Sequence, residues 1–276
     1  VPWSTTDDVH AFLAAAGELL SSEPVVHSPL LTEADYLGRY PEPNADQQAD
    51  QQYGWWTETG GGVAGAFLRA PRHPPLLTPL PDAAVDELVA VLAVADGVGC
   101  DVTTVDAVLA TWEAAGTTLA PRHRLVVHRL GTYRPPPPAV GRARVADPAD
   151  GPLLDRWFDA LMAANPGDPS DRAYVVADPL ADGRILLWEV DGEPVAMAGR
   201  TRTIAGMTRV GAVFAPSSDP RLETAVLGAA TAAAARVAGD VLVLAATGDR
   251  DGVARLAGLG YHAVRERVLL APPDRS

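Results

Sequence analysis

The chain has 276 residues, 47% of them hydrophobic and 21% charged, enough for two domains of roughly 100–200 residues, and it excludes disorder, collagen and pure coiled coil. All 22 basic residues are arginine, which excludes a lysine Schiff base, a pyridoxal phosphate linkage and a phosphate-loop lysine. A formal charge of −13 repels polyanions, so no nucleic-acid partner is expected.

One cysteine, Cys100, leaves no internal disulfide. The first twenty residues lack the basic start and apolar core of a secretory signal. The most apolar stretch, 225–246, is interrupted by Arg236 and Asp240 and reads as a small-residue helix running into a strand. A cytoplasmic chain with no membrane partner is the expectation.

In chain order, the spacing predicts a helix over 7–20 and then a polar insertion over 41–52 without apolar periodicity. A hairpin follows, in which Trp56 and Val63 flank the turn Gly60-Gly61-Gly62. Next come a proline-rich loop, a helix over 82–95, a strand over 98–102, a helix over 104–115 and a strand over 124–130. The run Pro135-Pro136-Pro137-Pro138 suits neither a helix interior nor a central strand. It divides the chain into 1–134, a linker over 135–141, and 142–276.

The second half repeats the first. A helix over 149–163 carries Leu153, Leu154, Trp157, Phe158 and Leu161 at helical spacing. Trp188 is followed by Val195, Ala196 and Ala198 at the offsets that separate Trp56 from Val63, Ala64 and Ala66, across the turn Asp191-Gly192. A strand over 208–214, a helix over 220–238, a strand over 241–246, a helix over 251–259 and a strand over 261–270 complete it. The fold class is α/β, an α+β mixed sheet: two tandem domains, each a mostly antiparallel sheet flanked by helices.

This order resembles the GNAT superfamily of acyl-coenzyme A dependent N-acyltransferases. The strings Trp188-Glu189, Val195-Ala196-Met197-Ala198-Gly199-Arg200, Arg209-Val210-Gly211-Ala212-Val213-Phe214-Ala215-Pro216 and Leu259-Gly260-Tyr261 are similar to the C-terminal half of tandem actinobacterial members. Tyr53-Gly54-Trp55-Trp56 and the run from Val63 to Arg69 are similar to their N-terminal half. The family holds the coenzyme's diphosphate on bare N–H groups at a helix N-terminus, in a loop reading Gln or Arg, two residues, Gly, one residue, Gly or Ala. Here that loop reads Pro220-Arg221-Leu222-Glu223-Thr224-Ala225. Proline removes a donor, and Glu223 puts a carboxylate where the glycine belongs. A carboxylate that near a diphosphate costs roughly 1–4 kcal/mol per charge pair. The family's asparagine is absent from 247–253, and its leaving-group tyrosine corresponds to Leu256. The first half's equivalent, Leu80-Pro81-Asp82-Ala83-Ala84-Val85, has no glycine either.

No cofactor is therefore expected, and the resemblance implies a degenerate acetyl-coenzyme A site. The cleft between splayed strands remains the place for a ligand. Glu189 is the candidate base, with Asp46 from the polar insertion and His262 as further candidates. Arg200 and Arg202, two apart on a strand, share a face on which an anion fits, with Arg209 beginning the next strand. Tyr53, Trp55 and Trp56 are candidate pocket walls, and no histidine set suits a metal. The reading is a repurposed secondary-metabolic enzyme from a high-GC bacterium, doing coenzyme-independent proton transfer, elimination or cyclisation on a small molecule. An alternative keeps N-acyl transfer from acetyl-coenzyme A, using Val213, Ala215, Arg221, Thr224 and Ala225. A second alternative is a non-catalytic binding or partner subunit in a hetero-oligomer.

Overall fold

The computed structural model describes residues 3–40, 51–71, 74–92, 97–166, 168 and 170–273. Its contacts divide the chain into one unit of Val1–Val126 with Arg265–Ser276 and another of Val127–Val264. By this division Pro135–Pro138 lie inside the second unit rather than between two, and the chain's last strand is divided between both.

The first unit contains β1 (Trp3–Thr6), α1 (Val9–Ser22), α2 (Ser28–Arg39), β2 (Gln52–Thr57), β3 (Val63–Arg69), β4 (Leu76–Leu77), α3 (Asp82–Val91), β5 (Val98–Asp101) and α4 (Val105–Ala114). Two strands have residues in both units: β6 (Ala120–Leu130) and β12 (Tyr261–Ala271). The second unit adds β7 (Arg142–Val145), α5 (Gly151–Ala164), α6 (Asp178–Ala181), β8 (Ile185–Val190), β9 (Glu193–Arg200), β10 (Met207–Phe214), α7 (Pro220–Ala234), β11 (Asp240–Ala246) and α8 (Arg250–Leu259). The sheet order is β1-β2-β3-β4-β5-β12 in the first unit and β6-β11-β10-β9-β8-β7 in the second. Parallel pairing joins β4 to β5 and β10 to β11; β1 to β4, β7 to β10, and β5 with β12 run antiparallel.

The predicted helices and strands recur within a few residues at each end. The helix expected over 220–238 stops at Ala234, and that expected over 82–95 stops at Val91, with 93–96 outside the described residues. The reading missed β1, α2, β4, β7 and the single π-helical turn Ala173–Ala177 that leads into α6. Each of these strands has only four residues or fewer, too short for period 2 to register. The α2 segment buries Pro29, Leu30, Leu31, Ala34, Tyr36 and Leu37 together with the polar Ser28 and Thr32, and its burial extends beyond its apolar stripe.

The internal repeat extends to a defect. The β2–β3 ladder slips between Trp56 and Thr57, and the β8–β9 ladder slips between Trp188 and Glu189, the same offset of the repeat. Alternation then sorts the second unit's core. Ala196 and Ala198 of β9 join Val210, Val226, Leu227, Ala230 and Tyr261 on the face under α7 and α8. Met197 between them joins Leu154, Trp157, Phe158, Ile185 and Leu187 under α5.

Two short-range constraints hold the ends of this core. Gly228 of α7 faces the proline run so closely that a Cβ there would lie 2.7 Å from Pro136 Cγ, and the Tyr133 hydroxyl donates to the Gly228 carbonyl at 3.0 Å. Gly260 ends α8 in the left-handed region at φ 99°, and its Cβ would fall 2.0 Å from the Thr132 carbonyl oxygen. Gly260→Ala therefore combines left-handed strain of about 1–3 kcal/mol with a backbone clash. A thermal melt is expected to drop by several degrees, at about 2–4 °C per kcal/mol.

Candidate functional site

The opening between β10 and β11 is the second unit's main departure from a regular sheet. These strands pair only through Met207↔Asp240, Thr208↔Val241 and Arg209↔Leu242, although β10 runs on to Phe214 and β11 to Ala246. On its other side the β9 ladder shifts between Gly211 and Phe214, where Ala212 takes φ 50°. Such a bulge adds twist and kinks the strand locally. The last residues of β10 thus have no ladder partner on the β11 side, and Gly211, Val213 and Phe214 keep solvent contact. A strand edge of this kind presents N–H and C=O groups to an extended ligand.

The loop 215–219 leads from that edge into α7, where a diphosphate would need bare N–H donors. The N-terminus of α7 is already capped. The Asp219 carboxylate accepts from Arg221 N at 2.9 Å, and Pro220 occupies the first turn with no N–H to give. The Arg221 guanidinium folds back onto the same carboxylate, Nη2 to Oδ2 at 2.8 Å and Nε to Oδ1 at 3.1 Å. That contact holds the Asp219 carboxyl below its usual range. Glu223 in the first turn pairs with Arg255 of α8 at 2.7 Å. The Thr224 hydroxyl donates to the Pro220 carbonyl. Ala215 and Ala225 are buried in the core, and Leu256, which has no hydroxyl, is buried in the same cluster as Ala215. Of the positions expected to hold the coenzyme, Val213 lies on the open edge of β10 and Arg221 and Thr224 in the first turns of α7.

The candidate catalytic groups do not converge. Glu189 of β8 is 7% exposed and bonded by Arg144 Nε at 2.5 Å, with Arg142 Nε at 3.5 Å. Arg144 also grips Asp150 with both terminal nitrogens, at 2.6 and 2.8 Å. The Arg144 hydrogen bond, first among the causes, holds the carboxyls of Glu189 and Asp150 below their usual values. A carboxylate held so acidic opposes a role as base. Arg144 was not singled out from the sequence because it lies 45 residues from Glu189. His262 is exposed on β12, and Asp46 lies outside the described residues.

The aromatic candidates belong to the first unit. Tyr53 is fully buried, stacked on Phe12 at 5.5 Å between ring centres, with its hydroxyl 3.1 Å from Gln51 Oε1; burial raises its pKa. Trp56 packs with Trp3 and Phe67 in the core, and its Nε1–H is buried without a partner among the described residues. Trp55, on the opposite face of β2 from Trp56, is half-buried. The first unit's parallel seam is filled from within. Only Leu76↔Gly99 pairs β4 with β5, and the buried Arg267 guanidinium donates from Nη2 to the carbonyls of Leu77 at 3.1 Å and Gly99 at 3.3 Å. Cys100 beside it is fully buried, its thiol pushed up to about 12 by burial, which suits packing rather than attack.

Arg200 and Arg202 fall at the end of β9, in a group with Asp178, Asp182 and Arg184 that the sequence reading did not connect. Arg209 is turned elsewhere and donates to the Tyr174 hydroxyl at 2.8 Å. Among the described residues no group of three or more His, Cys, Asp or Glu side chains suits a metal ion, and no helix is long and apolar enough to cross a membrane.

No protein-family model and no curated protein matches this chain. Solved structures do. A GCN5-related N-acetyltransferase from Sphaerobacter thermophilus superposes with a TM-score of 0.63 at 16% identity, over 99% of this chain and 97% of its own. A GNAT-family acetyltransferase from Colwellia psychrerythraea gives 0.60 at 10% identity, over 99% and 100%. A GCN5-related N-acetyltransferase from Kribbella flavida gives 0.56 at 20% identity, over 77% and 89%. The chain has the GNAT fold, and identities this low speak to the fold alone.

The Arg144 pairs make a prediction with a definite sign. Glu189 and Asp150 are depressed in the folded chain, so their contribution is present above the unfolded values of about 4 and is lost as pH falls through the folded ones. Arg144→Met should lower the urea midpoint at pH 7, and its difference from the parent should shrink as pH falls below about 4.

Proposed function

We propose that the second unit holds a small extended molecule against the open edge of β10, and that it does so without seating a coenzyme A diphosphate on α7. The observation that carries this reading is the Asp219 carboxylate at the α7 N-terminus, bonded to the backbone N–H and the guanidinium of Arg221. A helix N-terminus attracts one anion at close range; here the chain supplies its own. Glu223 adds a second negative charge to the same turn, and Pro220 withdraws a donor.

The chemistry is proposed as coenzyme-independent, on a small molecule in a chain of secondary-metabolic type. Val213 at the open edge supplies backbone hydrogen bonding to such a ligand. Arg144 stabilises the ionised Glu189 carboxylate, which weakens it as a base for such chemistry. The second reading, N-acyl transfer, is favoured by the bulge at Ala212 together with the short β10–β11 ladder, which leaves room for an amide-bearing thioester arm.

Calorimetry with acetyl-coenzyme A and with S-acetylpantetheine, which carries the same thioester arm without the nucleotide diphosphate, separates the two. The proposal expects the nucleotide to add less than threefold to affinity. A coenzyme that binds tenfold or more tightly than the truncated thioester overturns it. Asp219→Asn keeps an N-cap acceptor while removing the charge, and is expected to raise acetyl-coenzyme A affinity several-fold. An unchanged affinity would show that Asp219 is not the obstacle.

A further inference from the structure

The end of β9 carries more positive charge than its own carboxylates balance. Arg184 stands directly before β8, and its carbonyl accepts from Arg200 N at 3.0 Å. Since Ile185 pairs with Gly199, Arg184 and Arg200 are opposite one another across the ladder, an arrangement that sets two like charges side by side. Arg184 is committed. Its Nη2 donates to Asp178, its Nε to Asp182 at 3.3 Å, and its Nη1 to the Arg200 carbonyl at 3.0 Å, with 5% of the side chain exposed. Arg202 reaches Asp182 through Nη2 and lies 4.0 Å from Asp178, yet its Nε–H is buried with no partner among the described residues.

Arg200 is the remaining charge. It makes no ion pair among the described residues, and its one side-chain hydrogen bond is a long one, Nη1 to the Thr201 carbonyl at 3.4 Å. It is half-buried. Burial first, and then the charge of Arg184, holds its pKa below the usual arginine value. Three guanidiniums face two carboxylates, so the cluster carries one surplus positive charge in a chain of net charge −13. Asp182 is the carboxylate whose charge favours the Arg200 cation, and it is already ion-paired to Arg184 and Arg202. Arg200, short of partners, and Arg202, with its orphaned Nε–H, stand two apart in the chain and are donors of the kind that bind a planar anion.

We propose that Arg200, with the Nε–H of Arg202, forms a binding site for the carboxylate of a small molecule. The single surplus charge favours a monoanion over a phosphate dianion. Arg184 positions this pair by fixing the strand ends and Asp182, and it does not itself contact the ligand. The site lies at the β9 terminus and stands independently of what the β10–β11 opening holds.

The test is a titration of the intact chain with sodium acetate at constant ionic strength, read on the arginine Nε–H resonances in ¹H–¹⁵N spectra, with sodium chloride as control and inorganic phosphate as the competing anion. The proposal expects saturable acetate shifts at Arg200 and Arg202, with phosphate binding at least threefold more weakly. Shifts that stay linear like those of chloride overturn it, and tighter phosphate binding overturns the carboxylate assignment. Arg200→Met is expected to abolish saturation while melting no lower than the parent, because it relieves the Arg184 contact. Arg200→Lys, which keeps the charge and changes the fork, is expected to weaken acetate at least threefold. Parent-like saturation in either variant would overturn the proposal.

Discussion

Small side chains along α7 govern the second unit. Ala225, Gly228, Ala230 and Ala234 are buried in its interface, so the helix backbone lies close to the sheet and meets the proline run at Gly228 without room for a methyl group. That packing places the N-terminus of α7 just after the open edge of β10, joined to it by the loop 215–219. Whatever the opening accepts must meet the charges of that first turn. Those charges are the chain's own: Asp219 capping, Glu223 paired with Arg255, and Arg221 folded onto Asp219.

The two parallel seams have different fates. In the first unit Arg267 spans β4 and β5 through the carbonyls of Leu77 and Gly99, while Leu80 packs against the Gly65 position. Carbonyls that a ligand would otherwise meet are already satisfied there. In the second unit the bulge at Ala212 and the early end of the β10–β11 ladder leave the equivalent groups without a ladder partner. The first unit's seam is filled by its own side chains, whereas in the second the ladder ends early.

Buried charge follows a consistent pattern. Glu189 with Arg144 and Asp150, and Arg184 with Asp178, are closed networks in which each carboxylate meets a guanidinium. Removing one partner from the buried Arg184–Asp178 pair leaves an uncompensated charge, a loss of about 3–5 kcal/mol. These residues therefore act as braces between strands and the segments that precede them. Arg200 departs from the pattern, with no ion pair among the described residues.

The sequence alone determined most of the longer helices and strands, the Trp56 and Trp188 hairpins, and the presence of Pro220 and Glu223 in the first turn of α7. Each of these depends on residues near one another in the chain: apolar period, turn glycines, and a proline and a glutamate in one helical turn. The tertiary structure alone decided what Glu189 does, because Arg144 reaches it from another strand, and it alone revealed the surplus charge of Arg200, because Asp178, Asp182 and Arg184 are gathered there only by folding. It also buried Ala215 and Ala225 and turned Arg209 toward Tyr174. Local patterning specifies backbone conformation, whereas a carboxylate's basicity and a guanidinium's availability depend on which distant groups the fold brings within about 4 Å.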